Sequence, residues 1–173
     1  MATDLRQTSR RLLEEAFGRG NVEVFDELCS EEFRAHDPVA GDTDRGGAKQ
    51  NCSMYRTAFP DLKPTILSAY TNGEVCVSHW RMTGTHQKEF MGLEPMGARC
   101  TVEGITIDRY RLGKIVESWT QWDALGLMRQ WLTQTSPLVY ALRMVGFRSG
   151  KAVRYIEQLC FAPVRSVSPA TGS

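Results

Sequence analysis

The first twenty residues carry hydrophobic side chains at the three- and four-residue spacing of an amphipathic helix. These side chains share one helical face and are Leu5, Leu12, Leu13, Ala16 and Phe17. The run Gly18-Arg19-Gly20 supplies a stop signal. The pattern therefore predicts a first helix that ends just before residue 20.

Two more helices are predicted before residue 60. A short one holds the apolar side chains of residues 24–28, and Asn21 can cap its start. Pro38 then forces the chain out of helical geometry. Another helix covers residues 47–58, and Pro60 ends it.

The second half of the chain is rich in Val, Ile, Thr, Trp and Tyr, which favour strands. Four antiparallel strands are predicted, over residues 65–70, 74–83, 100–112 and 114–122. Asp123 then precedes residues 124–132 as the N-cap of a short helix. Helices followed by a meander of strands predict an α+β cone, with three N-terminal helices on a curved antiparallel sheet. Such a cone can enclose a small molecule.

Composition narrows the classes of partner. The 173 residues are 42% hydrophobic and 24% charged, and the net charge of +1 lacks the basic excess of a nucleic-acid binder. No apolar run reaches the roughly 18 residues of a membrane span, and the N-terminus lacks the apolar segment of a signal peptide. Five widely spaced cysteines without a C-x-x-C pair indicate a reducing cytoplasm. The chain has no metal-ligand spacing and no cofactor motif, so side chains alone are expected to do any chemistry.

The C-terminal segment differs in charge from the rest. We predict a cone domain over residues 1–133, and a helical extension with a flexible tail over residues 134–173. The extension carries five basic residues and one acidic residue. It either packs on the domain or on a second subunit, or it contacts an anionic surface or a carrier protein.

Short motifs resemble a known family. They are Phe33-x-x-His36-Asp37-Pro38, Phe59-Pro60-Asp61-Leu62, Gly84-Thr85-His86, the loop from Phe90 to Gly97, Gly113-Lys114-Ile115 with Trp119, and Trp122-Asp123 with Gly126-Leu127. In this order they resemble the SnoaL-like polyketide cyclases, from about residue 5 to 132. The resemblance implies the nuclear transport factor 2-like fold, which often forms homodimers through the outer sheet face.

The family's polar residues are not kept. In aldol cyclases of this family a pocket Asp acts as acid/base with a His, a Gln and an Asn. Aligning the Gly113-Lys114-Ile115 turn puts Thr120 at the Asp, Thr106 at the His and Gly104 at the Gln. The Asn position falls near Ala35 or His36. The resemblance thus supports the fold better than the aldol mechanism.

Three residues are candidates for acid/base chemistry. In the same register Asp108 faces the cone, where an apolar setting can raise the pKa of its carboxyl, unless it pairs with a neighbouring Arg or with solvent. His36 can exchange protons near neutrality or can simply brace the Asp37-Pro38 turn. His86 can act at the mouth of the cone or anchor its loop.

The expected ligand is a small hydrophobic molecule. The residues expected to hold it are Phe17, Tyr55, Trp80, Thr106, Thr120 and Trp122. The leading hypothesis is a cofactor-independent cyclase or isomerase of a polyketide- or terpenoid-like metabolite, in which Asp108 and His36 move the proton. The alternatives are an epoxide hydrolase or ether cyclase of the same fold, and a non-catalytic binding protein.

Overall fold

The computed structural model describes residues 4–134, with side chains through residue 131. Helix α1, Leu5–Leu12, continues as a π-helical segment, Leu13–Arg19, and ends where Gly20 takes a φ of 77°. The other helices are α2 (Val24–Leu28), α3 (Arg45–Ala58) and α4 (Ala124–Gln134). Among these residues no helix is long and apolar enough to cross a membrane.

Six strands form one sheet. They are β1 (Cys29–Asp37), β2 (Gly41–Asp44), β3 (Lys63–Asn72), β4 (Val75–Thr85), β5 (Arg99–Arg111) and β6 (Lys114–Trp122). Their order across the sheet is β2-β1-β6-β5-β4-β3. All neighbours are antiparallel except β1 and β6, which are parallel. The α+β cone predicted from the sequence is confirmed.

The first half of the chain departs from prediction in two places. Strands β1 and β2 were not predicted, because β1 mixes Glu, Arg and His with its apolar residues and lacks a strand-like composition. Asn21 is not a side-chain cap of α2, since its amide donates to Glu15 instead. The parallel pairing of β1 with β6 brings the region of Ala35 beside Ser118.

The helix after the sheet is capped as predicted. Asp123 Oδ1 accepts a hydrogen bond of 2.7 Å from the backbone N–H of Gly126. Trp131 on α4 is fully buried and packs against His86 and Phe59. The predicted extension lies beyond residue 134, outside the described residues, so its helices and tail stay a prediction.

Two apolar clusters hold the helices to the sheet. One joins α1, α2 and α3 to the β1 end, around Phe25, Phe33 and Ile115. The other joins the end of α3 to α4 and the loop between β4 and β5, around Phe59, Phe90 and Trp131. The space between the helices and the concave face of the sheet is left for the cavity described below.

Gly104 on β5 is required by the side chain beside it. A Cβ built at this position would lie 2.4 Å from the Trp80 ring and 2.8 Å from the carbonyl oxygen of Gln121. The missing side chain therefore lets the Trp80 indole lie flat across β5.

We predict that Gly104→Ala costs about 1–3 kcal/mol of unfolding free energy, because the new methyl group overpacks the site. Gly46→Ala is the matched control, since its Cβ would come no closer than 3.4 Å to its neighbour. Urea denaturation measures both. Equal stability of the two variants would contradict the assigned role of Gly104.

Candidate functional site

A cavity with two adjoining lobes lies between the helices and the concave face of the sheet. The Asp108 lobe has a volume of about 120 Å³ and the Trp122 lobe about 130 Å³. Both lobes are lined by Leu13, Phe17, Asp37, Tyr55, Trp80, Thr106 and Thr120. Since a cavity of about 150 Å³ can hold benzene in another protein, each lobe suits about one ring.

The concave face of the sheet changes from polar to aromatic along its strands. One cross-strand row is Cys76, Asp108 and Ser118, the next is Ser78, Thr106 and Thr120, and the third is Trp80, Gly104 and Trp122. At about 3.3 Å per residue, the Asp108 and Gly104 rows lie about 13 Å apart. The inward direction predicted for Asp108 is confirmed by its burial, and the even-numbered residues of β5 are all less exposed than the odd-numbered ones.

Asp108 lies at the polar end and is 3% exposed. Its Oδ1 is 2.7 Å from Ser118 Oγ, and its Oδ2 is 2.6 Å from Ser9 Oγ on α1. Ser9 Oγ is also 2.7 Å from the hydroxyl of Tyr110, which donates to the carbonyl oxygen of Leu5 at 3.1 Å. Four contacts thus link five oxygen-bearing groups in a chain.

The number of hydroxyl hydrogens bears on the charge of Asp108. The Leu5 carbonyl can only accept, so the Tyr110 hydroxyl supplies that hydrogen. With an ionised Asp108, Ser9 Oγ donates to Oδ2, and the contact between Ser9 and Tyr110 then has no hydrogen. With a protonated Asp108 that donates from Oδ2, Ser9 can donate to Tyr110 instead, and all four contacts have a hydrogen.

Burial points the same way. It raises the pKa of the Asp108 carboxyl above its usual range, and the hydrogen bonds of Ser9 and Ser118 oppose the shift without cancelling it. Burial also raises the pKa of the Tyr110 hydroxyl, which keeps its proton. Burial and the hydrogen count therefore both favour the protonated form of the Asp108 carboxyl, at one end of an apolar cavity.

The middle row holds a second, neutral hydrogen-bond chain. The Trp80 indole N–H donates to Thr106 Oγ1 at 2.9 Å, and Thr106 Oγ1 is 3.1 Å from Thr120 Oγ1. The hydroxyls at the positions of the family's His and Asp thus contact each other. They can orient a ligand oxygen, but they cannot act as acids or bases near neutral pH.

His36 is not brought together with Asp108. It borders the Asp108 lobe, but its ring nitrogens lie 2.9 Å from Asp42 and 3.1 Å from Glu117. Its ring stacks on Trp119, on the convex face of the sheet. The expected proton transfer between Asp108 and His36 is therefore not supported by the geometry, because β1 turns this side chain to the opposite face.

His86 lies outside the lining of both lobes. It is fully buried, and its ring stacks between Phe59 and Trp131 at centroid distances of 5.5 and 4.7 Å. Its Nδ1 accepts a hydrogen bond from the backbone N–H of Met96. Of the two roles expected for His86, the geometry fits the loop anchor.

The six residues expected to hold a ligand all line the cavity. Sequence reasoning missed several polar residues there, Ser9, Asp37, Thr43 and Asn51 among them. Ser9 was overlooked because periodicity reads a serine on a helix as solvent-facing, although Ser9 is 5% exposed. Asp37 was read as part of a turn, and its carboxylate does accept the backbone N–H groups of Val39 and Ala40. It also borders both lobes.

Within residues 4–134 no group of three His, Cys, Asp or Glu side chains is arranged to hold a metal ion.

We predict that the difference in unfolding free energy between Asp108→Asn and the wild type depends on pH. The amide mimics the neutral acid, donating to Ser9 and accepting from Ser118, so the two proteins should agree within about 1 kcal/mol at acidic pH. Above the ordinary Asp pKa of 3.8, the unfolded wild type loses a proton that the folded state keeps. Wild-type stability should therefore fall relative to Asp108→Asn by about 1.4 kcal/mol per pH unit, until the raised pKa is reached.

Urea denaturation of both proteins across the pH range measures this difference. A difference that stays constant with pH would mean that folded Asp108 titrates as it does in the unfolded chain.

Comparisons with known proteins agree with this architecture. The family model described as SnoaL-like polyketide cyclase matches residues 7–131. IdmH from Streptomyces antibioticus, a proposed polyketide cyclase, is 29% identical with a TM-score of 0.66, over 73% of this chain and 97% of its own. A proposed polyketide cyclase from Acidithiobacillus ferrooxidans is 24% identical with a TM-score of 0.67, over 78% and 100%.

A third solved structure extends the likeness of fold. A protein of ketosteroid isomerase-like fold from Catenulispora acidiphila is 15% identical with a TM-score of 0.61, over 79% of this chain and 100% of its own. The search of curated proteins finds no match. Because the family model covers most of the chain, and its cone is the observed fold, the chain belongs to the SnoaL-like polyketide cyclase family.

Proposed function

We propose that this protein is a cofactor-independent cyclase or isomerase of a polyketide- or terpenoid-like metabolite, and that Asp108 is its acid/base residue. The observation that carries the proposal is a buried carboxylic acid, bonded only to hydroxyl groups, at the end of a cavity walled by aromatic rings. Family membership supports the cyclase or isomerase type of reaction.

The proposed chemistry begins with Asp108 as a proton donor. A substrate carbonyl oxygen within about 3 Å of the carboxyl would accept its hydrogen bond. As an enol of the same substrate attacks the carbonyl carbon, the C=O π bond breaks and the proton moves from Asp108 to the carbonyl oxygen, which becomes a hydroxyl. Ser118 donates to the carboxylate left behind, as does Ser9 once it turns from Tyr110, and the carboxylate takes up the proton that the enol oxygen releases as its own C=O bond forms.

The remaining lining would position the substrate. Thr106 and Thr120 would orient an oxygen in the middle of the cavity. The rings of Phe17, Tyr55 and Trp122 would hold a folded chain so that its reacting atoms meet. In this proposal His36 and His86 take no part in the proton transfer.

Epoxide opening is the second candidate reaction. A neutral acid such as Asp108 can protonate an epoxide oxygen, and this favours the alternative. The resemblance to limonene epoxide hydrolase, however, implies a site in which two carboxylates flank an Arg. Among the described residues no Arg lines either lobe. Cyclisation or isomerisation therefore ranks first.

We also propose that the protein is a cytoplasmic homodimer. The buried, unpaired state of Cys29, Cys52, Cys76 and Cys100 supports the compartment. An apolar row on the convex face supports the dimer and runs across four strands through Tyr70, Val77, Ile107 and Trp119. Tyr70, Ile107 and Trp119 are 70%, 40% and 37% exposed, as expected of a surface that a second copy covers.

We predict that Asp108→Asn lowers turnover by about 100-fold to 10,000-fold, since an amide cannot give up a proton as the acid does. A strain that lacks the gene should accumulate a precursor. Expression of the wild-type protein in that strain should convert the precursor to a product of unchanged mass, and expression of the variant should not. The control Asp26→Asn, on the surface beside Lys49, should restore conversion. Mass spectrometry of extracts makes the measurement.

Full conversion by Asp108→Asn would reject the assignment of Asp108. A product heavier by one water would favour epoxide hydrolysis. An unchanged metabolite profile in the deletion strain would favour the binding protein.

We predict that Ile107→Glu makes the protein monomeric, because it places a charge in the centre of the apolar row. Leu112→Glu is the control, because Leu112 lies at the tip of the turn between β5 and β6 and is 95% exposed. Sedimentation velocity measures both variants against the wild type. A wild type that is already monomeric, or a variant that stays dimeric, would contradict this interface.

A further inference from the structure

Asp37 is the second carboxylate of the cavity, and its surroundings differ from those of Asp108. Its Oδ1 accepts hydrogen bonds from the backbone N–H groups of Val39 and Ala40, at 2.8 and 2.9 Å. Its Oδ2 accepts from the Trp122 indole N–H at 3.2 Å. The Asp37 carboxylate thus accepts three N–H groups at the place where the two lobes meet.

No basic side chain neutralises this charge from within the cavity. Among the described residues, neither Lys nor Arg lines either lobe. The basic residue next to Asp37 in the sequence is His36, and its ring nitrogens contact the carboxylates of Asp42 and Glu117. Burial favours the protonated form of Asp108 at the far end of its lobe. Asp37 is therefore the carboxylate that a ligand meets where the two lobes join.

The geometry leaves Asp37 able to bind that ligand. Each carboxylate oxygen can accept two hydrogen bonds, and Oδ2 has one described donor. The aromatic rings of Tyr55 and Trp122 meet edge to face, 6.3 Å apart, and line the Trp122 lobe beside it. A ring in that lobe would place its substituent next to the carboxylate.

We propose that Asp37 sets the charge selectivity of the cavity: it binds a ring-bearing ligand through a protonated amine and excludes a ligand that carries a free carboxylate. The inference rests on the proposed function in so far as the cavity holds a ligand. It adds a class of substrate, a cyclic molecule with a basic nitrogen, and a residue that recognises it.

The test compares three ligands with the same ring system and different charge. They are benzylamine, benzyl alcohol and benzoate, titrated calorimetrically into the full-length protein at neutral pH and low salt. The amine should bind about tenfold more tightly than the alcohol, and the carboxylate at least about tenfold more weakly, as a partly buried ion pair or like-charge contact requires.

Two substitutions remove the charge by different routes. Asp37→Asn keeps the size of the side chain, and Asp37→Ser keeps an acceptor for the turn, so that one can replace the other if folding suffers. In either variant the amine should lose its advantage over the alcohol. Asp26→Asn, which removes a surface charge outside the cavity lining, should keep the wild-type order.

The outcomes separate the two proposals. Equal binding of the three ligands by the wild type, or an unchanged amine preference in both Asp37 variants, would overturn the role of Asp37 and leave the catalytic proposal standing. Binding of none of the three would overturn both, since the cavity would then not accept a ring.

Discussion

The hydrogen-bonded carboxylic acid of Asp108 is the interaction on which the rest of the site depends. An ionised carboxylate in this position would be buried without a cation, at a large cost in solvation. The hydroxyl groups of Ser9, Ser118 and Tyr110 favour the neutral form as well, because the four contacts of the chain need one hydrogen more than these three groups supply. The same chain fastens α1 to the sheet, so the helix and the acid position each other.

The cavity is ordered along the strands, and that order separates its chemical roles. Successive rows along the strands hold the Asp108 carboxyl, then the hydroxyls of Thr106 and Thr120, then the rings of Trp80 and Trp122. Gly104 serves the third row, since its missing side chain makes room for the Trp80 indole, whose N–H then reaches Thr106. Positions 104, 106 and 120, where the resemblance places the polar residues of the aldol cyclases, instead hold an arrangement built around Trp80. The acid has a different place, one row further along β5.

Much of the fold and of the site could be predicted from the sequence, because the periodicity of the apolar residues agrees with which residues are buried. Strand β6 begins and ends where its composition indicated, and the register implied by the family resemblance, extended by alternation along β5, gave the inward direction of Asp108. The charged strand β1 could not be predicted, because its place depends on a parallel pairing with β6, more than eighty residues away in sequence. The orientation of His36 follows from that pairing. Ser9 could not be found for a similar reason, since its partners lie on β5.

The protonation state of Asp108 at neutral pH is the central claim, and infrared difference spectroscopy tests it most directly. Spectra of the wild type and Asp108→Asn, each carrying ¹³C-labelled aspartate, isolate the carboxyl signal of this residue. The account predicts a C=O stretching band of a protonated acid that is present in the wild type and absent from the variant. A difference spectrum that contains only carboxylate bands would show Asp108 to be ionised and would contradict the account.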